Sequence, residues 1–395
     1  MIRKKIDNKY YSNKSIVLQT IDWNSYDVFD DDNNDSDNDN SDDSQEDNKK
    51  IIKRKYIIKA YGVTEEGHSI SLNIIDFTPY FFLKIPQNWN NSDFRAFINQ
   101  IKSLAEKQNK YHSESLISSE IVERKEFYEF SNNKLLKYCR FVFKNINGFY
   151  AYQKLIKNNK FKINNQKYDL SKNTDDEKYG LYESSINPLI RFFHVKKINP
   201  VGWIKLNYGK YNVNVVKKTR CQIDLTVHYN DIEVIEKNSI GKILIASFDI
   251  ECTSEDGSFP KASRKGDKII QIGTTVYEYG NNNCILKHIT TLKKSDPIEG
   301  AIVESFDNER DVVIGWSKFI KELDPDILTG YNIWDFDENY INERAKNGNC
   351  GECRDYSEIV LRNLSRNKEK LPEFKIKELS SSALGNNILK FFDIE

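Results

Sequence analysis

Apolar positions recur along this chain with two different periods. From Ile51 to Ile85 the period is two. Ile57-Ile58-Lys59-Ala60-Tyr61-Gly62-Val63-Thr64 leads through Glu65-Glu66-Gly67 into the strict alternation Ile70-Ser71-Leu72-Asn73-Ile74, which predicts strand, turn, strand. Phe77 to Pro86 reads as a further strand with prolines at its margins, where a missing N–H is tolerated. Phe94, Phe97, Ile98, Ile101, Leu104 and Ala105 then fall at helical spacing. Arg140-Phe141-Val142-Phe143, Leu189-Ile190-Arg191-Phe192-Phe193, Val201 to Leu206 and Cys221 to Val227 read as further strands of a β-rich region closing near Ser239. Phe and Tyr alternating along such strands are expected in the core rather than as base-stacking platforms.

From Ile240 the texture changes to strands at Ile243–Ile250, Lys268–Val276 and Cys284–Leu292, then a one-sided helical stripe at Val312, Val313, Trp316, Phe319, Ile320 and Leu323. Asn308 is the expected N-cap and Asp311 a favourable first-turn acid. Asp324-Pro325-Asp326 stops this helix. A short strand, Ile327–Thr329, and a helix over Phe336–Ala345 closed by Gly348 follow. Three antiparallel strands, a helix and a parallel strand make a ribonuclease-H-like arrangement. The fold expectation is therefore a mixed β-rich N-terminal domain (α+β) followed by a truncated α/β domain of that kind. Its segments are 1–26, an N-terminal strand; 27–50, an acidic insert; 51–239, the N-terminal domain; and 240–395, the ribonuclease-H-like domain.

Composition sharpens this in one place. The stretch from Asp27 to Asp47 holds 11 acids and no base, which predicts disorder. It also masks the charge of the rest: the formal net charge is zero, yet outside the tract 59 basic residues face 48 acidic ones. That bias suits a polyanion, although lysine-rich solvated segments such as Lys154 to Lys167 account for much of it. Neither a signal peptide nor a membrane-spanning run is present in the sequence, and six scattered cysteines are expected as reduced thiols inside a cell. Cys350-Gly351-Glu352-Cys353 lacks a second metal-binding pair and reads as a loop.

The candidate chemistry sits where the run Ile243–Ile250, read as a strand buried on both faces, ends in Asp249 and Glu251. Alternation puts both acids on one side, roughly 6.5 Å apart along the backbone. Two such carboxylates call for cations between them. Asp-Ile-Glu occurs three times in the chain. At Asp231 it follows a polar turn with no buried strand expected before it, and at Asp393 it closes the sequence, so context selects the copy at Asp249. Asp337, in the first turn after the parallel strand, is the third carboxylate. Phe336 beside it is expected to pack inward, and Asp335 is a helix-capping acid. Strand carboxyl ends collect functional groups in open α/β sheets, and Asp249, Glu251 and Asn332 fall there. Hard oxygens favour two Mg²⁺ or Mn²⁺ ions, about 3.5–4 Å apart, acting on a phosphodiester.

These residues resemble the N-terminal part of family B DNA polymerases, most nearly the delta-type enzymes of eukaryotes and large DNA viruses. Phe248-Asp249-Ile250-Glu251-Cys252, with Gly257-Ser258-Phe259-Pro260 after it, is similar to the first exonuclease motif. Asp324 to Ile333 with Phe336-Asp337 is similar to the second. Tyr61 to Gly67, Phe77 to Phe81 and Leu189 to Phe193 resemble the N-terminal domain. The resemblance implies that Asp249, Glu251 and Asp337 are metal-binding carboxylates of a 3′→5′ proofreading exonuclease. It implies also that Asn332 and Phe336 line the single-stranded 3′ primer end. DNA, primer and template, would be the partner, with a sliding clamp reached through a C-terminal part not in this sequence, and no membrane. The expected location is the nucleus or a viral replication site. Abundant Asn, Lys and Ile fit an AT-rich genome such as a giant virus has.

The third motif, Tyr-x-x-x-Asp, occurs only at Tyr331/Asp335, overlapping the second motif, and at Tyr26/Asp30, in the acidic tract. The polymerase palm motifs do not occur. The expectation is a truncated polymerase, unable to polymerise alone and impaired as an exonuclease. A stand-alone exonuclease of the same fold and a non-catalytic DNA-binding module are the alternatives.

Overall fold

The computed structural model describes residues 3, 6, 8–29, 54–126, 133–172, 179–333, 336–347, 355–369, 374–381 and 387–394. The N-terminal half contains two main sheets. The larger has seven strands, in spatial order Tyr211–Val213, Ile223–His228, Ser69–Ile75, Arg54–Thr64, Ile16–Phe29, Trp203–Leu206 and Ile232–Ile235. One face buries Leu18, Ile58, Ala60, Leu72, Ile204 and Leu225 with Phe77 and Phe192. The smaller sheet orders Leu116–Lys125, Leu135–Phe143, Tyr80–Lys84 and Gly180–Tyr182, with Asn91–Gln108 and Ile146–Asn158 as helices against it. Phe81, Phe141 and Phe143 are buried there, as aromatic alternation leads one to expect.

Several expectations need correction. Leu189–Phe193 belongs to a helix, Pro188–Lys196, because Asn187 caps its first turn and Pro188 opens it, while Lys197 closes it in the left-handed region. Lys154–Lys167 is not a loop, although its lysines are exposed as expected: it ends a helix and enters the hairpin Phe161–Ile163/Gln166–Tyr168, burying Leu155, Phe161 and Ile163. The acidic stretch starts inside a strand, since Phe29 pairs with Arg54 and Asp27 with Tyr56. Asp27 accepts the Ile146 and Asn147 N–H groups at 2.8 and 3.2 Å, where a helix N-terminus needs acceptors. Residues 30–53 lie outside the described part. A buried strand, Ile223–His228, does precede Asp231-Ile232-Glu233, which then enters an edge strand.

The second half is built on a five-stranded sheet: β1 Leu244–Cys252, β2 Ile269–Glu278, β3 Leu286–Leu292, β4 Ile302–Phe306 and β5 Ile327–Thr329, in the order β4-β3-β2-β1-β5. Pairing is antiparallel for β1/β2 and β2/β3, and parallel for β3/β4 and β1/β5. The edge strand β4 was not expected; its three apolar residues, none of them fully buried, carry no clear period. Helix α1, Glu309–Leu323, covers one face with Val312, Val313, Trp316 and Ile320. Asn308 accepts the Asp311 N–H at 2.9 Å as its N-cap, and Asp324 ends it in the left-handed region. Strand β1 is not buried on both faces. Leu244, Ala246, Phe248 and Ile250 are buried, whereas Asp249 and Glu251 are exposed. Two helices follow β5: α2 Asp337–Asn347 and α3 Ser357–Leu364. Gly348 and Cys350 to Cys353 lie outside the described residues. Phe374–Ser381 and Asn387–Ile394 form a final antiparallel pair.

Close approach of β5 to β1 depends on Gly330. A Cβ there would lie 2.4 Å from the Phe248 carbonyl oxygen and 2.2 Å from Ile333 Cγ2. The Phe248 carbonyl cannot yield without moving the strand that carries Asp249. Gly330→Ala should therefore cost about 1–3 kcal/mol of stability, the usual range for overpacking, measurable by urea titration.

Candidate active site

Asp249 and Glu251 share one face of β1. Opposite Asp249 on β2 stands Gly273, where even a Cβ would meet nothing within 4 Å, so the space in front of Asp249 is open. Opposite Glu251 stands Gln271, and the register shifts immediately after it. Helix α2 brings the third acid to this strand. Asp337 is buried, and its Oδ1 accepts the N–H of Ile250, between the two β1 acids, at 2.9 Å. Burial pushes the Asp337 carboxyl above its ordinary range, the Ile250 N–H pulls it down, and the neighbouring Asp249 carboxylate raises it further.

The structure thus joins Asp249 and Asp337 directly and sets Glu251 on the same face. No basic side chain forms an ion pair with any of the three among the described residues. Nor, among the described residues, do three His, Cys, Asp or Glu side chains converge closely enough to enclose a metal ion. Two adjacent carboxylates with an open approach nevertheless fit a hard divalent ion. Mg²⁺ is commonly held by one or two carboxylates, with waters and substrate phosphates completing its octahedron.

Asn332 is exposed, with φ of 52°, in the turn between β5 and α2. Trp334 and Asp335 lie outside the described residues. Phe336 is half-buried rather than fully inward. Its ring meets Tyr340 at 5.2 Å on one side and Phe259, itself 71% exposed, at 5.0 Å on the other. Phe259 thus joins the site, and its sequence signal was a single aromatic in an otherwise polar loop.

Two further features escaped the sequence reading. Glu309 and Arg344 form a buried ion pair: Arg344 Nε donates to Glu309 Oε1 at 2.8 Å, and a second guanidinium nitrogen reaches Oε2. Arg344 Nη1 also donates to the Ala262 and Arg264 carbonyls at 3.1 and 2.8 Å, and Ile269 N–H donates to Glu309 Oε1 at 2.9 Å. Together with Tyr340 Oη donating to the Asp267 carbonyl at 2.9 Å, these bonds pin α2 to α1, β2 and the loop after β1. The other feature is Glu338. Burial, reinforced by Asp337, pushes its carboxyl up to about 7, and its Oε2 has no hydrogen-bond partner among the described residues.

Residues 179–390 match the family model of the exonuclease domain of DNA polymerase family B. The chain belongs to that family. It is 32% identical over 342 residues to a DNA polymerase of Acanthamoeba polyphaga mimivirus, covering 84% of this chain and 18% of that protein. It is 30% identical over 296 residues to the DNA polymerase delta catalytic subunit of Oryza sativa subsp. japonica, covering 73% of this chain and 26% of that subunit. The chain therefore spans about a fifth to a quarter of the length of these relatives. A solved family B DNA polymerase from Pyrobaculum calidifontis aligns at 20% identity with a TM-score of 0.49, over 74% of this chain and 30% of that one. The family B resemblance read from the two motifs is thereby borne out. The four described cysteines are free thiols, and no helix among the described residues is long and apolar enough to cross a membrane.

Proposed function

We propose that this chain is the N-terminal and exonuclease part of a replicative DNA-directed DNA polymerase, and that its site removes nucleotides from a single-stranded 3′ end. The observation that carries this reading is the Asp337–Ile250 hydrogen bond, which draws the acid of the second motif into the strand of the first. Asp249 and Asp337 would hold one divalent ion, with Glu251 completing a two-ion site once DNA phosphate is present. Such ions stabilise the attacking and leaving oxygens of an in-line displacement at phosphorus.

The chain's own residues supply the remaining parts. Ile250 N–H fixes the Asp337 carboxylate, and the open space over Gly273 admits a phosphate to Asp249. Asn332, Phe336 and Phe259 offer polar and aromatic contacts to the terminal nucleotides, and exposed rings stack on bases without sequence preference. Residues 51–239 act in this reading as the N-terminal domain, and 240–395 as the exonuclease domain. A sliding clamp would be met elsewhere on the whole protein, in a nucleus or a viral replication site. With no carboxylate beyond Asp249, Glu251 and Asp337 assigned to the site, and no credible Tyr-x-x-x-Asp motif to supply a fourth, the isolated chain should bind single strands with little turnover.

The test is 3′-end degradation of a single-stranded oligonucleotide with Mn²⁺. Asp249→Ala should lower the residual rate at least about a hundredfold, the scale on which removing one charge-stabilising group acts. Robust degradation surviving that substitution would show the site to lie elsewhere.

A further inference from the structure

Phe259 stands largely in water, yet its place beside Phe336 is fixed by polar bonds beneath it. Residues 255–259, the tip of the loop between β1 and β2, are all exposed, so packing against the core does not hold them. Arg264 does. Its Nε donates to Asp267 Oδ2 at 2.6 Å, and its Nη1 donates to Ser258 Oγ at 2.9 Å and pairs with Asp256. Its Nη2 donates to the Phe259 carbonyl at 2.6 Å. All three guanidinium nitrogens are thus engaged, and their planar fork fixes the direction of each bond.

The clamp is anchored at its base. Asp267 is buried, and its two oxygens accept the Glu255 and Lys261 N–H groups, each at 2.7 Å. The Arg264 carbonyl accepts Arg344 Nη1 at 2.8 Å, which ties the loop to α2, the helix that carries Asp337. Phe259 is thereby held edge-on to Phe336. An exposed ring of this size leaves apolar area in water that a stacked base would cover.

We propose that Arg264 is a positioning residue for the single-stranded 3′ end, holding Phe259 against Phe336 so that the two rings present one aromatic surface to the terminal bases. Its bonds go to the loop, so it acts through Phe259 rather than on the acids. The inference rests on the proposed reading of the site as one that takes a 3′ end.

The experiment measures, by fluorescence anisotropy in Mn²⁺, the affinity of the full chain for a labelled single-stranded oligonucleotide whose terminal linkage resists cleavage. Arg264→Lys is the main variant, because it keeps a cation beside buried Asp267 but cannot also reach Ser258 and the Phe259 carbonyl. Ser258→Ala, exposed and neutral, loosens the same clamp and serves if the first variant does not fold. Phe259→Ala and its combination with each complete the cycles. Arg264→Lys and Phe259→Ala should each weaken binding about tenfold, the scale of one lost base stack, and the double variant no further than Phe259→Ala alone. Ser258→Ala should weaken it less, with the same non-additivity. Mn²⁺ binding without oligonucleotide should match the wild type, which a collapsed site would not allow. Wild-type affinity in the folded clamp variants, or losses that add to that of Phe259→Ala, would overturn the proposal. A wild type with no metal-dependent affinity would instead sink the proposed site, and this inference with it.

Discussion

Arg344→Ala should lower the unfolding free energy by about 3–5 kcal/mol, the cost of leaving one member of a buried ion pair alone. Both partners are buried, and Glu309 would keep only the Ile269 N–H once the guanidinium is gone. The Ala262 and Arg264 carbonyls lose a donor in the same step. A typical domain is stable by about 5–15 kcal/mol, so the substitution removes a large share of the total. The pairing itself is separable from its breakage. The double variant Glu309→Met/Arg344→Met should recover most of the loss, because apolar replacement of a buried pair is often neutral. Urea titration of the single and double variants measures both. Because Arg344 lies two turns from Asp337 on α2, Arg344→Ala should also weaken the metal site in whatever fraction stays folded.

Glu338→Gln should stabilise the metal-free chain at pH 8 by up to about 3 kcal/mol and leave it nearly unchanged at pH 4. The sign follows from the raised carboxyl. The unfolded group titrates near its ordinary value of 4.5, whereas the folded one titrates at about 7. Its contribution is present in full below the unfolded value and is lost as pH rises through the folded one, because the buried carboxylate must then carry charge beside Asp337. Glutamine keeps the shape and cannot ionise. Chelator-treated protein, unfolded in urea at intervals from pH 4 to 8, should show a slope in the wild type that is flattened in the variant. Parallel profiles would mean that Glu338 ionises freely in the fold.

Much of the site was legible because it rests on local pattern. The apolar stretch ending in two acids, the helix from Glu309 and its Asn308 cap, and the turn into Asp337 all follow from period and capping. The second face of β1 was misread since Ile245, half-buried in the fold, looks like an interior residue in a run that only the small Ser247 interrupts. Pro188–Lys196 was misread for a similar reason: five apolar or amphipathic residues fit either period, and only the Asn187-Pro188 start distinguishes a helix. What stayed illegible is what depends on residues distant in sequence. Glu309 and Arg344 are 35 positions apart, and nothing in either neighbourhood marks them as partners. Glu338 reads as an ordinary first-turn acid, and burial alone reveals its altered proton affinity.

The most direct test of the metal centre is Mn²⁺ binding, followed by electron paramagnetic resonance, with a single-stranded oligonucleotide whose terminal linkage resists cleavage. Wild type, Asp249→Ala and Asp337→Asn are compared, with Asp311→Ala, a first-turn acid on the other side of the sheet, as control. Oligonucleotide-enhanced Mn²⁺ binding that falls at least tenfold in both site variants and persists in the control is the expected result. Equal Mn²⁺ binding in all four proteins would contradict Asp249 and Asp337 as the centre of the site.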